Sequence, residues 1–596
     1  MLSSIVLASL FTARVKAPIA PLVPTPSAVN CTEGSFALRS GDGISGAGSL
    51  APLARLCAEE FEKAFGVKLS IGSNKRPAIA LRIYGKMAKE QYRVTVGNRI
   101  EVIGGSYQAV AYGTTTLLQW AAQARTASTQ EDMPKSPTIG IGIPKAQIDD
   151  CPAFAYRGAM VDVARRYHSI DTLKQIVDLC RFYKVRYLQL HLTDDQAFTF
   201  PSKAFPQATA SNQHGGPAYT IDELKGLVSY ADQRGVTIVP EFDVPGHSAA
   251  LIRTMPDLFK IKGTKPYEHH ATINFANPKV LKAVGTIIGE MCAVFKSSPY
   301  FHIGGDEADI AFVAQHPDFK KLIAQYGLSR NPEHELYRRF LCQMNEVVKK
   351  RGKKMLVWEG FSRDPETKFP IPKGVAVMVF ESAYNPAPDL IADGYTVINS
   401  AWTPLYVVNR HVWKPKKIYD WSITEFGRFS NRWQETVWLN ASGTNGILGA
   451  QACEWEQPEG LAVQGFLGVL PAMSERVWNP RAERDYTAFE QRLKACNELL
   501  GRLLSPIDVA FEGLTTTGED EFDLLTFETQ AMARLKRRPD GCSVRYTLDG
   551  SAPSPDSLEW KGPMKIEATA TLRVRAFDKD GKPCGGEFAR TLNRLP

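Results

Sequence analysis

Two adjacent carboxylates, Asp306 and Glu307, close the run His302-Ile-Gly-Gly-Asp306-Glu307. Cleaving the acetal bond between sugars needs a protonated carboxyl at the leaving oxygen and stabilisation of an oxocarbenium-like centre. Side chains of neighbouring residues leaving a strand diverge, so this pair does not flank one bond as an ordinary acid and nucleophile. It suits two neighbouring atoms instead, with Glu307 reaching a glycosidic oxygen and Asp306 holding a substituent of the same ring. Gly304-Gly305 lets a substrate approach the backbone just before them. The structural alternative is a strand-end charge pair satisfied by helix N-termini.

Similar clusters recur along the chain: Asp162 with Arg165, His191-Leu-Thr-Asp194-Asp195-Gln196, and Pro240-Glu-Phe-Asp243-Val-Pro-Gly-His247. Further on come Trp358-Glu359, Phe380-Glu381, Trp402-Thr-Pro-Leu-Tyr406 and Glu454-Trp455-Glu456-Gln457. Carboxylates and an arginine suit the hydroxyls of a carbohydrate, and tryptophan rings suit its flat C–H faces. His191 and His302 read as core supports, Glu241 and Asp243 as residues behind the site, and His269-His270 as a surface loop. No GxSxG elbow occurs, and His334-Glu335 is followed by Leu-Tyr-Arg, which breaks the HExxH zinc pattern. Gly41-Asp-Gly-Ile-Ser-Gly46 matches GxGxxG only formally and reads as a flexible loop before a helix.

The elements that would carry these clusters are short apolar strands alternating with amphipathic helices. Candidate strands are Tyr156–Val163, Tyr187–Leu192, Val236–Phe242, Tyr300–Ile303, Lys354–Trp358, Val375–Phe380, Tyr395–Asn399 and Ile447–Cys453. Each polar cluster follows one strand, and eight strand–helix units fit an α/β chain folded as a (β/α)8 barrel. Such a barrel brings its C-terminal strand ends to one mouth, where all these groups converge on a sugar-sized site. Between strands, Thr220 and Glu223 form a capping box, Asn277-Pro278 starts a helix, and Leu173, Ile176, Val177 and Cys180 make one apolar stripe.

The barrel is assigned to residues 151–505, after an α+β domain over 18–150 and before a small all-β, sandwich-like domain over 506–596. In the first, Leu50 to Phe61 recur at helical spacing, and Gln91 to Ile103 alternate as two strands about Gly97-Asn98. In the last, Val544–Leu548, Asp549-Gly550 and Thr571–Phe577 read as strand, turn and strand. Residues 1–17 read as a trimmed or atypical export signal, giving a secreted or periplasmic expectation. No apolar run approaches the ~20 residues that span a bilayer. The formal charge of +8 comes from 71 basic and 63 acidic residues that are interspersed, a solvated surface rather than a nucleic-acid arm. None of the 10 cysteines forms a CxxC pair; Cys542 and Cys584 are candidates to pair, while Cys180, Cys292, Cys342 and Cys453 read as buried thiols.

The stretch from Tyr156 to about Trp478 resembles the catalytic barrel of glycoside hydrolase family 20, the β-N-acetylhexosaminidases. The matching segments are Arg157-Gly158 with Asp162-Val-Ala-Arg165, HLTDDQ at 191–196, PEFDVPGH at 240–247, HIGGDE at 302–307 and Glu475-Arg476-Val-Trp478. QYRVTV at 91–96 with Tyr112–Gln119 is similar to the family's accessory domain, and Tyr546–Pro553 to the β domain that ends chitobiase-type members. The resemblance implies substrate assistance, in which the sugar's own 2-acetamido oxygen attacks the anomeric carbon. It implies that Asp306 orients that group, that Glu307 is acid then base, and that Tyr406 bonds the acetamido oxygen. Arg165 would grip ring hydroxyls, Asp194 and His247 would tune the acid with His191 in support, and Trp358 and Trp455 would wall the sugar. Trp402 would line the pocket or pack the Tyr406 loop. The implied partner is a glycan ending in β-linked GlcNAc or GalNAc, with no metal or organic cofactor. Release of an N-acetylated disaccharide and non-catalytic glycan binding are the alternatives.

The chain departs from the family pattern at several points. Phe380 stands where many members carry tryptophan, Val408 near a frequent aspartate, and Arg166 at a frequent histidine. Trp455-Glu456-Gln457 replaces W-G-E, which leaves open whether Glu456 or Gln457 meets the sugar.

Overall fold

The computed structural model describes residues 21–72, 76–123, 139–212, 218–262, 271–311, 313–408, 413–428, 437–457, 459–504, 507–517, 525–538, 541–584 and 587–596. The export-signal reading and His269-His270 lie outside them.

Eight parallel strands close into a barrel. They are β1 (Tyr156–Asp162), β2 (Tyr187–His191), β3 (Thr237–Glu241), β4 (Tyr300–His302), β5 (Lys354–Trp358), β6 (Ala376–Val379), β7 (Thr396–Asn399) and β8 (Ile447–Trp455). Each pairs with the next, and β8 pairs with both β7 and β1. A short strand, Tyr406–Val408, runs parallel along Cys453–Trp455 of β8. All eight expected strands are present, shifted by a few residues at their ends.

Alternation along the strands sorts the side chains. Tyr156, Met160, Tyr187, Val239, Leu356, Trp358, Met378, Ile398 and Cys453 pack into one cluster inside the barrel. Their neighbours, including Ala159, Val161, Leu188, Leu190, Ile238, Val357 and Val377, join the core beneath the helices. The helices begin where the sequence places their caps. Thr220 and Glu223 complete a capping box on helix Ile221–Gln233, and Asn277 accepts the Lys279 N–H ahead of Pro278–Val294. The stripe Leu173, Ile176, Val177 and Cys180 is fully buried on helix Ile170–Phe182.

Before the barrel, a seven-stranded mixed sheet carries helices Ala51–Phe65 and Tyr107–Ala121. Tyr92–Val96 and Ile100–Gly104 form the expected antiparallel pair. The GxGxxG stretch is not a flexible loop. Gly43–Gly46 is a strand pairing with Ile79–Ile83, and Ile44 is fully buried, so ladder bonds and one apolar anchor order it. After the barrel, a three-stranded and a six-stranded sheet surround a separate apolar core, with Ser543–Thr547 antiparallel to Ala570–Phe577. Cys180, Cys292 and Cys453 are buried free thiols as expected, whereas Cys342 is only half-buried.

Two family-like segments turn out to build the floor of the barrel rather than its mouth. Trp478 donates to Asp150 at 2.9 Å, and Glu475 accepts from Arg492 at 2.9 Å and from Thr25. Arg157 is fully buried and bonds the Phe154 and Lys184 carbonyls and Glu90. The Lys184 ammonium beside them donates to Tyr92 at 2.8 Å and lies 4.8 Å over the Trp478 ring. Buried charges held this way lock the accessory domain against the N-terminal strand ends.

Candidate active site

Strand register builds the first tier of the site. Asp162, His191, Glu241 and His302 lie opposite one another across β1 to β4, alternating carboxylate and imidazole at the last rung. A one-residue slip of any strand would turn its member into the helical layer. Glu241 is fully buried and spends both oxygens. Oε1 accepts from Trp358 Nε1 at 2.7 Å and lies 3.1 Å from His302 Nδ1, and Oε2 is 2.8 Å from both Gln189 Nε2 and His191 Nδ1. His191 meets Asp194 Oδ2 with its other nitrogen, also at 2.8 Å. Both its nitrogens must therefore donate. Burial alone would lower its pKa, but the Glu241 and Asp194 carboxylates hold it well above the ordinary histidine value.

The loops after the strands carry the second tier. Asp194, after β2, is the hub. Its Oδ2 takes Arg165 at 2.7 Å as well as His191, and its Oδ1 lies 3.3 Å from His247 Nδ1. Burial pushes the Asp194 carboxyl up, yet His191, His247 and Arg165 together hold it far below the usual range. Arg165 is gripped again by Asp162 at 3.2 Å and reaches toward Glu456 at 3.7 Å. His247 turns its Nε2 to the opposite side, 3.4 Å from Glu307 and 3.7 Å from Asp306. Burial opposes its charge, but Asp243 and the surrounding carboxylates raise its pKa well above the usual.

Asp306 and Glu307 diverge as their adjacency requires. Asp306 is 8% exposed, whereas the Glu307 side chain is 49% exposed. Glu307 sits at φ 45°, a left-handed conformation that costs a non-glycine residue on the order of 1–3 kcal/mol and marks a backbone fixed by its surroundings. Gly304 at φ 68° precedes the pair, and a Cβ there would lie 1.7 Å from Asp243 Oδ1, so only glycine fits. Asp243 Oδ1 accepts the Gly305 N–H at 3.1 Å. Burial, and then the Asp306 charge, push Asp243 well above the carboxylate range. Asp306 itself is raised by burial but opposed by His247. The Glu307 carboxyl, bonded by the His247 imidazolium, lies below the ordinary value.

Aromatic rings complete the cup. Trp358 is buried, with Phe380 6.0 Å and Trp455 6.1 Å away. Tyr406, 3% exposed, lies between Trp402 at 5.0 Å and Trp455 at 6.0 Å, and burial raises its phenol well above the usual value. Trp455 also faces the Arg165 guanidinium at 5.2 Å. Trp402 therefore does pack beside Tyr406, within the aromatic cluster of the site.

Every site residue read from the sequence converges on this mouth except Gln457. Gln457 is 2% exposed, its amide donates to the Trp455 carbonyl at 3.0 Å, and its N–H is held by Glu454 at 3.1 Å. The backbone of the turn consumes it. Glu456, at φ 59° and 44% exposed in its side chain, faces the open site. Among the described residues, three sets of donors lie within 4.8 Å of one another: His191 with Glu241 and Asp243, Asp194 with Asp195 and His247, and Asp243 with His247 and Asp306. In each the histidine faces carboxylates that hold its pKa well above the ordinary value.

The catalytic-domain model of glycosyl hydrolase family 20 matches residues 154–481. The chain belongs to glycosyl hydrolase family 20. The model for domain 2 of that family matches 20–151, and the chitobiase/β-hexosaminidase C-terminal domain matches 526–584. This family-20 chain is 26% identical over 599 residues to a β-hexosaminidase of Porphyromonas gingivalis, an alignment covering 94% of the chain and 73% of that protein. It is 28% identical to a β-hexosaminidase of Vibrio furnissii over 57% of the chain and 56% of that protein. The fold superposes on an exo-β-N-acetylglucosaminidase from Vibrio harveyi in complex with N-acetylglucosamine with a TM-score of 0.67, at 24% identity, covering 81% and 78% of the two chains.

Two residues that sequence reading left without a role stand out in the family-20 mouth. Glu359 is fully buried, and its Oε1 accepts the N–H groups of Glu381 at 3.2 Å and Ala383 at 3.0 Å. Glu381 is half-buried on that turn. Their only signal was position, each directly after a strand-ending aromatic residue.

Proposed function

We propose that the chain is an exo-acting, retaining β-N-acetylhexosaminidase using substrate assistance. One observation carries this reading: Asp306 Oδ1 is buried without a hydrogen-bond partner, inside an aromatic cup and one residue from the exposed Glu307. A buried carboxylate oxygen without a donor costs free energy until a ligand supplies one. The N–H of a 2-acetamido group supplies it, and the indole and phenol rings suit the acetamido methyl and the sugar face.

In this reading the acetamido oxygen attacks the anomeric carbon while the bond to the leaving oxygen breaks and Glu307 delivers its proton. Asp306 accepts the acetamido N–H and offsets the positive charge of the oxazolinium ring, and the Tyr406 hydroxyl donates to the attacking oxygen. Water then opens the ring at the same carbon, giving up its proton to Glu307, so configuration is retained. In the open site His247 keeps the Glu307 carboxyl low. A glycan filling the mouth strips water from that half-exposed side chain and raises it toward the protonated form. Arg165 and Glu456 meet ring hydroxyls, while Asp194, itself bonded by His191, holds the Arg165 and His247 cations in place. The names of the relatives, β-hexosaminidases, support the same reaction. The reading extends to an exported enzyme, supported by the approach of Cys542 and Cys584 Sγ atoms to 2.8 Å.

The test is hydrolysis of aryl β-GlcNAc, aryl β-GalNAc and aryl β-glucoside. Turnover of one or both acetamido sugars with retention, and none of the glucoside, is expected. Binding without turnover of any acetamido substrate, N-acetylated disaccharides included, would defeat the reading.

A further inference from the structure

Strand Ala570–Phe577 of the terminal β domain has two faces of different chemistry. Leu572, Val574 and Ala576 are buried in that domain's own core, so the alternation of the strand turns Arg573 and Arg575 together to the other side. Solvent does not take them. Their side chains are only 11% and 15% exposed, and each meets a carboxylate of the barrel. Arg575 donates to Asp171 Oδ2 at 3.3 Å, in the first turn of helix Ile170–Phe182, which follows β1. Arg573 lies 4.0 Å from Glu459 Oε2, at the start of helix Glu459–Trp478, which follows β8. The neighbouring strand Phe588–Arg594 adds a third grip: Gln464 of that helix donates to the Ala589 carbonyl and accepts from Arg590.

The two helices held in this way begin just behind Arg165 and Glu456. Glu459 joins them to each other. Its Oε1 accepts the Ser169 N–H at 2.8 Å and the Thr172 hydroxyl at 2.7 Å, and Ser169 is the N-cap of the helix after β1. Buried His168, one residue earlier, places Nε2 3.6 Å from Glu454 Oε2. Arg165 and Glu456 stand 3.7 Å apart at the mouth end of the same two loops, with Arg165 over the Trp455 ring. The loops after β1 and β8 are thus tied together from Arg165 and Glu456 back to Glu459, and Arg573 closes the last tie from outside the barrel. An isolated surface ion pair carries little. Here the Arg573 guanidinium is already fixed by the Gly550 carbonyl at 3.0 Å and by Glu587, so meeting Glu459 costs it little further side-chain entropy.

Resting on the hexosaminidase reading, we propose that the terminal β domain clamps the sugar-gripping edge of the mouth, with Arg573 and Arg575 as positioning residues that act on Arg165 and Glu456 through Glu459 and Asp171. Arg165 and Glu456 hold hydroxyls that do not react, so a looser grip weakens substrate and transition state alike and raises KM with little change in kcat. The test measures both constants for the full chain on aryl β-GlcNAc in two paired variants. Arg573→Gln with Arg575→Gln releases the clamp from the β domain. Glu459→Gln with Asp171→Asn releases it from the barrel, and an amide oxygen keeps the Ser169 and Thr172 bonds. Each pair should raise KM about five- to tenfold, the scale of one charge-assisted hydrogen bond partly lost, with kcat within about twofold of wild type. All four changes together should do no more than either pair, since both pairs open one clamp. A contact that only steadies the fold would lower the thermal midpoint and leave KM in place below the unfolding range. That result overturns the clamp, and so do pair effects that multiply. If the arginine pair does not fold, the KM of the barrel-side pair decides. Calorimetric binding of GlcNAc makes the same comparison without turnover, so a wild type that binds it but cleaves no aryl substrate removes the hexosaminidase reading alone.

Discussion

His247 Nε2 stands 3.4 Å from Glu307 Oε2 while the opposite face of the same ring is held by Asp194, 3.3 Å away. The proposed proton donor is thus poised by a cation rather than by a second carboxylate. Asp306, only one residue away, approaches the same nitrogen at 3.7 Å with one oxygen unclaimed. A single imidazolium therefore faces both carboxyls: it holds Glu307 below the ordinary value and opposes the burial that raises Asp306.

The division of labour is testable through the leaving group. Glu307→Gln removes the proton needed by a poor leaving group, so kcat/KM on a natural disaccharide should fall by about 10²–10⁴. An activated aryl leaving group needs little protonation, and its first step should lose far less. Asp306→Asn removes the partner of the intermediate, which forms whatever the leaving group, so both substrates should suffer alike. Equal losses on both substrates for Glu307→Gln would contradict the acid assignment.

Asp194 joins Arg165, His191 and His247, and is 1% exposed. Asp194→Asn leaves these cations underpaired in a dry setting, a change worth about 3–5 kcal/mol. Thermal midpoint and kcat/KM should both drop, the latter by at least about a hundredfold if the lost order reaches Glu307. Asp195→Asn is the control. That carboxylate accepts the Ala249 N–H at 3.0 Å, a bond that the amide oxygen can keep. A comparable loss in both variants would mean the hub is structural and carries no orientation of the acid.

The barrel and its mouth were legible because both rest on short-range patterns. β5 runs from Lys354 to Trp358 as its short apolar run predicts, and the strand-end clusters place Arg165, Asp194, His247, Asp306 and Glu307 together. What stayed hidden depends on backbone detail. Nothing in Glu456-Gln457 reveals that a left-handed Glu456 swings outward while the next amide is spent on a carbonyl. Glu359 was equally opaque, since its partners are N–H groups of a turn more than twenty residues on. The Gly43–Gly46 strand was misread because its order comes from tertiary pairing that no local propensity records.

The terminal β domain offers a prediction that separates compartments. Cys542 and Cys584 Sγ atoms approach to 2.8 Å, near enough to join on oxidation with little movement. Protein recovered from an oxidising compartment should be 2 mass units lighter than its reduced form, with the bond mapped to this pair. Closing a loop of that length is worth about 4 kcal/mol on the chain-entropy account. Cys542→Ser should therefore lower the stability of the β domain in oxidised protein and leave aryl-substrate turnover intact. Free thiols at both positions after export would remove this support for an exported enzyme.

Glu359 makes stability depend on pH with a definite sign. Burial lifts its carboxyl from the ordinary 4.5 to about 8, while the Glu381 and Ala383 N–H groups pull it only partly back. Between those values the folded chain keeps a proton that the unfolded chain has released. Folding is thus favoured least at high pH: the contribution is fully present below about 4.5, declines as pH rises toward 8, and is flat beyond. The full window amounts to at most about 5 kcal/mol. Glu359→Gln keeps an oxygen for both N–H groups and cannot ionise, so its thermal midpoint should match wild type near pH 5 and exceed it at pH 8.5. Thermal midpoints measured every half unit from pH 5 to 9 give both slopes. A variant whose slope parallels wild type would show that the buried carboxyl beneath the β6 loop is not the source of the dependence.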